Sequence, residues 1–225
     1  MAVVLVILGL ALSGLTIPLS AQFDLQNIRE TRASLQQIKD ALQGYALSHT
    51  ATDGSGRPYL PCPDTSGDGV EEPRVAGVCP SQEGRVPWST LGTPRTDAWN
   101  NRFRYRVHPN FSNSTTGFSL TTTGTLRVCT DTACAPTLAT GLVAVIVSHG
   151  KNGYGARNDS NTVNLVPAAT SADELDNING RNNPTAGNSN LDAADTADVD
   201  FVSQTPTPTF DDIVVWIPTY ILFSS

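Results

Sequence analysis

From Met1 to Leu19 the chain carries no charge, and Val3, Val4, Leu5, Val6, Ile7, Leu8, Leu10, Leu12, Leu15, Ile17 and Leu19 are large and apolar. That approaches the roughly 20 residues a membrane-spanning helix needs. The pattern then changes. Ile28, Leu35, Ile38, Leu42 and Tyr45 recur at helical spacing, while Asp24, Arg29, Glu30, Arg32, Lys39 and Asp40 fall on the other faces. This is the apolar stripe of an amphipathic helix. No Gly-rich or Pro-rich break separates the two patterns, and Pro18 would kink a helix without ending it. The expectation is one helix over 1–49, about 70 Å long at 1.5 Å per residue. Its first half would be a membrane or filament stem, and its second half would pack on a head. A cleaved signal peptide is the competing reading: Leu19-Ser20-Ala21 has the small residues for cleavage, but no basic segment precedes the run.

The head, 50–225, offers short β-branched or aromatic runs bounded by turn residues at Phe103–Val107, Phe118–Thr122, Leu126–Cys129, Leu142–Ser148 and Ile213–Ile217. Thr123-Gly124 reads as a tight hairpin connection. The uninterrupted run Leu142–Val147 predicts a central strand covered on both faces. The fold expected is α+β: a long amino-terminal helix on a small antiparallel sheet, with long loops and disulfides. A polar excursion occupies about 150–205, and strand character returns after it.

Charge narrows the function classes. A net charge of −7 provides no basic field for nucleic acid. The four cysteines form two sequence-local pairs, Cys62/Cys79 and Cys129/Cys134, in loop-like surroundings. Disulfides in an oxidising compartment are favoured over a four-cysteine zinc site, which uses tighter knuckles. Pairing across the two sites is not distinguishable from spacing alone.

The best ligand-like cluster is Asp64-Thr65-Ser66-Gly67-Asp68-Gly69-Val70-Glu71-Glu72. Asp64, Ser66, Asp68, Val70 and Glu72 reproduce the first half of a calcium loop, with alternating oxygens and Gly at the sharp turn. Val75 stands where the closing bidentate Glu belongs, so Glu71 or Glu72 would have to substitute. The competing reading is a polar hairpin held by a Cys62–Cys79 bridge. A second acidic group, Asp195, Asp198, Asp200, Asp211 and Asp212, is either a further ion site or a solvated acidic surface.

Enzyme signals are weak. Ser148-His149 are neighbours on a strand and point to opposite faces. Gly150–Gly155 lacks phosphate-loop spacing, and there is no Gly-x-Ser-x-Gly elbow. The chain is read as a non-enzyme.

The run MAVVLVILGLALSGLTIP, with Gly9 and Pro18, resembles the amino-terminal helix of type IV pilins and type II secretion pseudopilins. The Gly and Phe-Thr-Leu-Ile-Glu that precede such runs are absent, and the natural terminus is expected a few residues upstream of Met1. In the head, Leu60-Pro61-Cys62-Pro63, the Gly84-to-Gly92 stretch around Pro87-Trp88, and Asp97-Ala98-Trp99-Asn100-Asn101 are similar to pilin-like patterns, with Asn100 at a common Gly position. The resemblance implies a structural subunit of a pilus or pseudopilus that polymerises with itself or other pilins. Val4, Leu8, Gly9, Leu12 and Pro18 would pack the filament core. It further implies a prepilin peptidase, inner-membrane assembly machinery, and a path from inner membrane to periplasmic or extracellular filament. The alternative is a membrane-anchored or secreted calcium-dependent binding module that does not polymerise.

Overall fold

A helix with one apolar stripe must bury that stripe, and α1 (Ala2–Ser48) does so against the sheet. The computed structural model describes residues 2–164, 172–178 and 199–223, with the side chains of α1 described from Ser20 onward. Leu35, Ile38 and Leu42 are fully buried, Tyr45 nearly so, and Ile28 half-buried. The side chains of Val4, Leu8, Gly9, Leu12 and Pro18 lie outside the described residues, as do Asp195 and Asp198.

Among the described residues six strands follow: β1 (Glu83–Arg85), β2 (Arg104–Val107), β3 (Leu126–Cys129), β4 (Thr137–Ser148), β5 (Asp200–Val202) and β6 (Ile213–Pro218). Short helices α2 (Trp88–Leu91), α3 (Pro109–Ser112) and α4 (Ala172–Asp176) and a closing 3₁₀ turn, Thr219–Phe223, complete the head. The strand order is β1-β2-β4-β3-β5, with β6 pairing β4. The twelve-residue β4 is the spine, pairing β3 through its first half and both β2 and β6 through its second. As its unbroken apolar run predicts, it is covered twice. Ala144 and Ile146 pack in the core that holds the α1 stripe, Tyr105 and Phe111. Val145 and Val147 pack in a second core with Leu126, Val128, Phe201 and Val214.

The expected fold needs correction. The sheet is mixed, because β5 runs parallel to β3. Among the described residues, no helix is long and apolar enough to cross a membrane, so the long apolar stem on a small antiparallel head is not the architecture found. The physical reasons are local. The described part of α1 lies along the head with charge on its outer side, and the polar excursion contributes a paired strand of its own. Phe201 and Val202 in that strand are buried, and Arg127 grips Asp200 at 2.6 and 2.7 Å. Phe118–Thr122 is no strand: Phe118 is drawn into an aromatic cluster with Phe111 and Phe223, and Thr122 closes a turn on Ser119. With that strand gone, Thr123-Gly124 joins no hairpin.

Both local disulfides form, Cys62–Cys79 with Cα atoms 5.4 Å apart and Cys129–Cys134 at 4.8 Å. The first locks a loop that is tied to the helix. Tyr45 Oη donates to Glu71 Oε1 at 2.7 Å, and Glu71 Oε2 accepts from Cys62 N and Arg74 Nη1. Replacing Cys62 and Cys79 with Ser should cost about 3 kcal/mol, the loop-closure value for a crosslink of this span. Urea unfolding of the oxidised protein and the double variant measures it.

Candidate functional site

The turn that leaves β4 is assembled from four parts of the chain. Asp97 Oδ1 accepts from Trp99 N and Asn101 N, both at 2.9 Å, and its Oδ2 accepts the Ser148 hydroxyl at 2.7 Å. Asn100 turns the chain at φ 65°, a left-handed conformation that Asn tolerates better than most residues. Ala98 N donates to the fully buried Thr31 hydroxyl on α1, and Asn101 Nδ2 donates to Gly150 O. Gly150, at φ 60°, has no room for a side chain: a Cβ would lie 2.5 Å from Asp211 Oδ1. The sequence patterns Asp97–Asn101 and Gly150–Gly155 therefore converge on the segment that precedes β6.

There, Glu174 from α4 meets Asp211 and Asp212, with one carboxylate oxygen of each within 4.8 Å of the others. One oxygen of every carboxylate is occupied. Glu174 Oε1 accepts from Asn152 Nδ2 at 2.5 Å and from Asp211 N at 3.2 Å. Asp211 Oδ2 accepts from Asn152 N at 2.9 Å, and Asp212 Oδ2 from Asn177 Nδ2 at 2.8 Å. The second oxygens, Glu174 Oε2, Asp211 Oδ1 and Asp212 Oδ1, accept no hydrogen bond from the described residues, although His149 Nδ1 stands 3.5 Å from Asp212 Oδ1. Glu174 is 1% exposed and Asp212 4%. Burial, with repulsion from Asp212 and Asp211 added, pushes the Glu174 carboxyl up to about 7. Burial, then the Asp212 charge, also raises Asp211. Hydrogen bonds to Asn152 and the Asp211 amide oppose the Glu174 shift without cancelling it. Converging carboxylate oxygens are the donor type that a hard divalent cation takes, and a cation there would offset the repulsion that burial creates. The other acid-and-cysteine group, Cys129, Cys134 and Asp200, is no ligand set, because its sulfurs are bonded to each other and Asp200 is held by Arg127.

The calcium-like loop is organised differently. Asp64, fully buried, accepts from Gly67 N at 2.5 Å, Ser66 Oγ at 3.2 Å and Gly69 N at 3.0 Å, with Arg85 Nε 3.8 Å away. Glu72 Oε1 takes Thr65 N, Thr65 Oγ1 and Ser66 N, and Asp68 Oδ1 takes Val70 N. The side chain of Val70 is exposed. The structure thus brings Asp64, Ser66 and Glu72 together, but around N–H and O–H donors and an arginine.

Among the described members of the second acidic group, Asp211 and Asp212 converge while Asp200 pairs with Arg127, and Glu174 joins the first two unforeseen. Its signal lay in Asp173-Glu174-Leu175-Asp176-Asn177-Ile178, where Leu175 and Ile178 form an apolar pair in an otherwise polar stretch. Ser148 and His149 do not form a nucleophile–base pair: the serine proton goes to Asp97, while His149 Nε2 accepts from Arg104 Nε at 3.4 Å. His149 Nδ1 lies 3.5 Å from Asp212 Oδ1. No protein-family model, curated protein or solved structure matches the chain.

Proposed function

We propose that this chain is a structural subunit of a pilin-like filament, borne at a membrane by its apolar amino-terminal run and not an enzyme. The observation that carries the reading is the state of α1 where it leaves the head. Its far half is buried on the sheet, yet Phe23 is 57% and Leu25 54% exposed on opposite flanks just beyond the uncharged run Met1–Leu19. Apolar side chains left open there gain by packing against lipid or neighbouring chains. The two disulfides fit a head that matures in an oxidising compartment, periplasmic or extracellular. Partners on this reading are further copies or other pilins, an inner-membrane assembly machine and a prepilin peptidase.

Calcium, or a cation of like hardness, held by Glu174, Asp211 and Asp212 would brace the head by joining α4 to β6. The same acidic centre also favours a second reading, an anchored or secreted calcium-dependent binding module that does not polymerise. One experiment separates them: intact-mass and amino-terminal peptide analysis of a sheared cell-surface fraction. The filament reading expects the chain in that fraction with the apolar run retained. A soluble species beginning near Ala21 or Gln22 would sink it and leave the binding module.

A further inference from the structure

Beside the acidic centre, a groove of about 140 Å³, open to solvent on one side and lined in part by Asp211, runs between α1 and the β6 side of the head. Its apolar lining is Ile28, Trp99, Pro206 and Ile213, and the buried indole Nε1–H of Trp99 has no hydrogen-bond partner among the described residues. The rim is charged. Lys151 bridges Asp24 at 2.9 Å, and Arg32, exposed, makes no ion pair among the described residues. Asp24, Ile28 and Arg32 succeed one another at i, i+4 and i+8, so a single stripe of α1 forms the groove wall.

The opposite side of the same helix has the complementary character. Phe23 and Glu30, seven residues apart, lie on one line, both exposed, and Glu30 likewise makes no ion pair among the described residues. One face of α1 thus offers an aromatic knob and an acid. The opposite face helps to form an apolar slot with an arginine at its edge. The two patches differ, so a contact between them joins the knob side of one molecule to the groove side of the next. Such heterologous contacts do not close a dimer and, repeated, build an open helical array.

We infer that the groove is the seat of a second copy of this chain, taking the neighbour's Phe23 against Ile28, Trp99, Pro206 and Ile213 while the neighbour's Glu30 meets Arg32. This rests on the filament reading and adds the surfaces through which the heads register. An aromatic side chain suits the slot in size and apolar character, and the unpaired Glu30 and Arg32 fix its direction.

The test uses the full-length chain in its own membrane. A tagged copy with a photo-crosslinking phenylalanine analogue at position 23 is co-produced with an untagged copy. Adducts on the untagged copy's peptides containing Trp99 or Ile213 are expected. Glu30→Arg or Arg32→Glu alone should lower their yield about tenfold, by placing like charges opposite each other, and the double reversal should restore it. If the chain is found in sheared filaments but the adducts fall elsewhere, on another protein or within one copy, the groove assignment fails and the filament reading stands. If neither filaments nor copy-to-copy adducts appear, both fail.

Discussion

Glu83→Ala is expected to lower the stability of the head by about 3–5 kcal/mol, the cost of stripping the partner from a buried ion pair. Glu83 sits on β1 directly opposite Arg106 of β2, with Arg104 one side-chain repeat away on the same face. Its two oxygens are shared between them, Oε1 with Arg104 Nη1 at 2.9 Å and Oε2 with Arg106 Nη1 at 2.7 Å. Glu83 is fully buried and both arginines nearly so. Two guanidinium groups on one buried face repel unless a carboxylate stands between them, and β1 has only three residues with which to hold the edge of the sheet. Folded domains typically retain about 5–15 kcal/mol, so one substitution removes a large share. Guanidinium chloride unfolding followed by circular dichroism would record a lower midpoint, and Glu83→Gln should fall between the two proteins. A loss of unfolding free energy under about 1 kcal/mol would show that the pair contributes little beyond its own desolvation.

Calcium should raise the unfolding free energy by about 4 kcal/mol when present at a thousand times its dissociation constant, the mass-action value for a ligand bound only by the native state. Glu174→Gln should remove that increment. Without metal the same substitution should act in the opposite direction at alkaline pH. The folded-state pKa of Glu174, about 7, lies above its ordinary value of 4.5. Between those values the native state binds more protons than the unfolded chain, so stability falls as pH rises through the interval and stays low above it. Asp211, raised in the same sense, adds to the slope. Metal-free protein should therefore melt lower at pH 8 than at pH 5.5, Glu174→Gln should flatten that difference, and calcium should reverse it. Thermal melts of the two proteins at both pH values, with chelator and with calcium, contain all three comparisons. A wild-type melt that ignores calcium at every pH would remove the metal assignment.

Much of this architecture can be read from short-range pattern. The stripe Leu35, Ile38, Leu42 and Tyr45 follows from helical spacing, the two-sided burial of β4 from an unbroken apolar run, and the disulfides from locally paired cysteines. The errors arise where distant segments decide the outcome. Phe118 has strand-like neighbours, yet its ring is claimed by Phe111 and by Phe223 near the opposite end of the chain. Asp200–Val202 looks like part of a polar stretch, and only the edge of β3 makes it a strand. The loop Asp64–Glu72 shows the limit of a ligand pattern. Alternating oxygens are what a cation needs, but they are equally what a tight turn needs to hold its own N–H groups. The convergence of Glu174 with Asp211 and Asp212 depends on how α4 folds back beside β6, and spacing along the chain has no bearing on it.

The link from Tyr45 through Glu71 to Cys62 has a mechanical side. A tensile load applied along α1 runs parallel to the stripe that buries Leu35, Ile38 and Leu42, so the helix resists it in shear, with all its contacts strained together. At the far end the load passes through the Tyr45 hydroxyl into Glu71, then to the backbone of Cys62 and to the guanidinium of Arg74. Both lie within or at the edge of the segment closed by the Cys62–Cys79 bond, where force meets a covalent crosslink. A chain pulled by its amino-terminal end would thus yield along the helix–sheet seam before the crosslinked segment could lengthen.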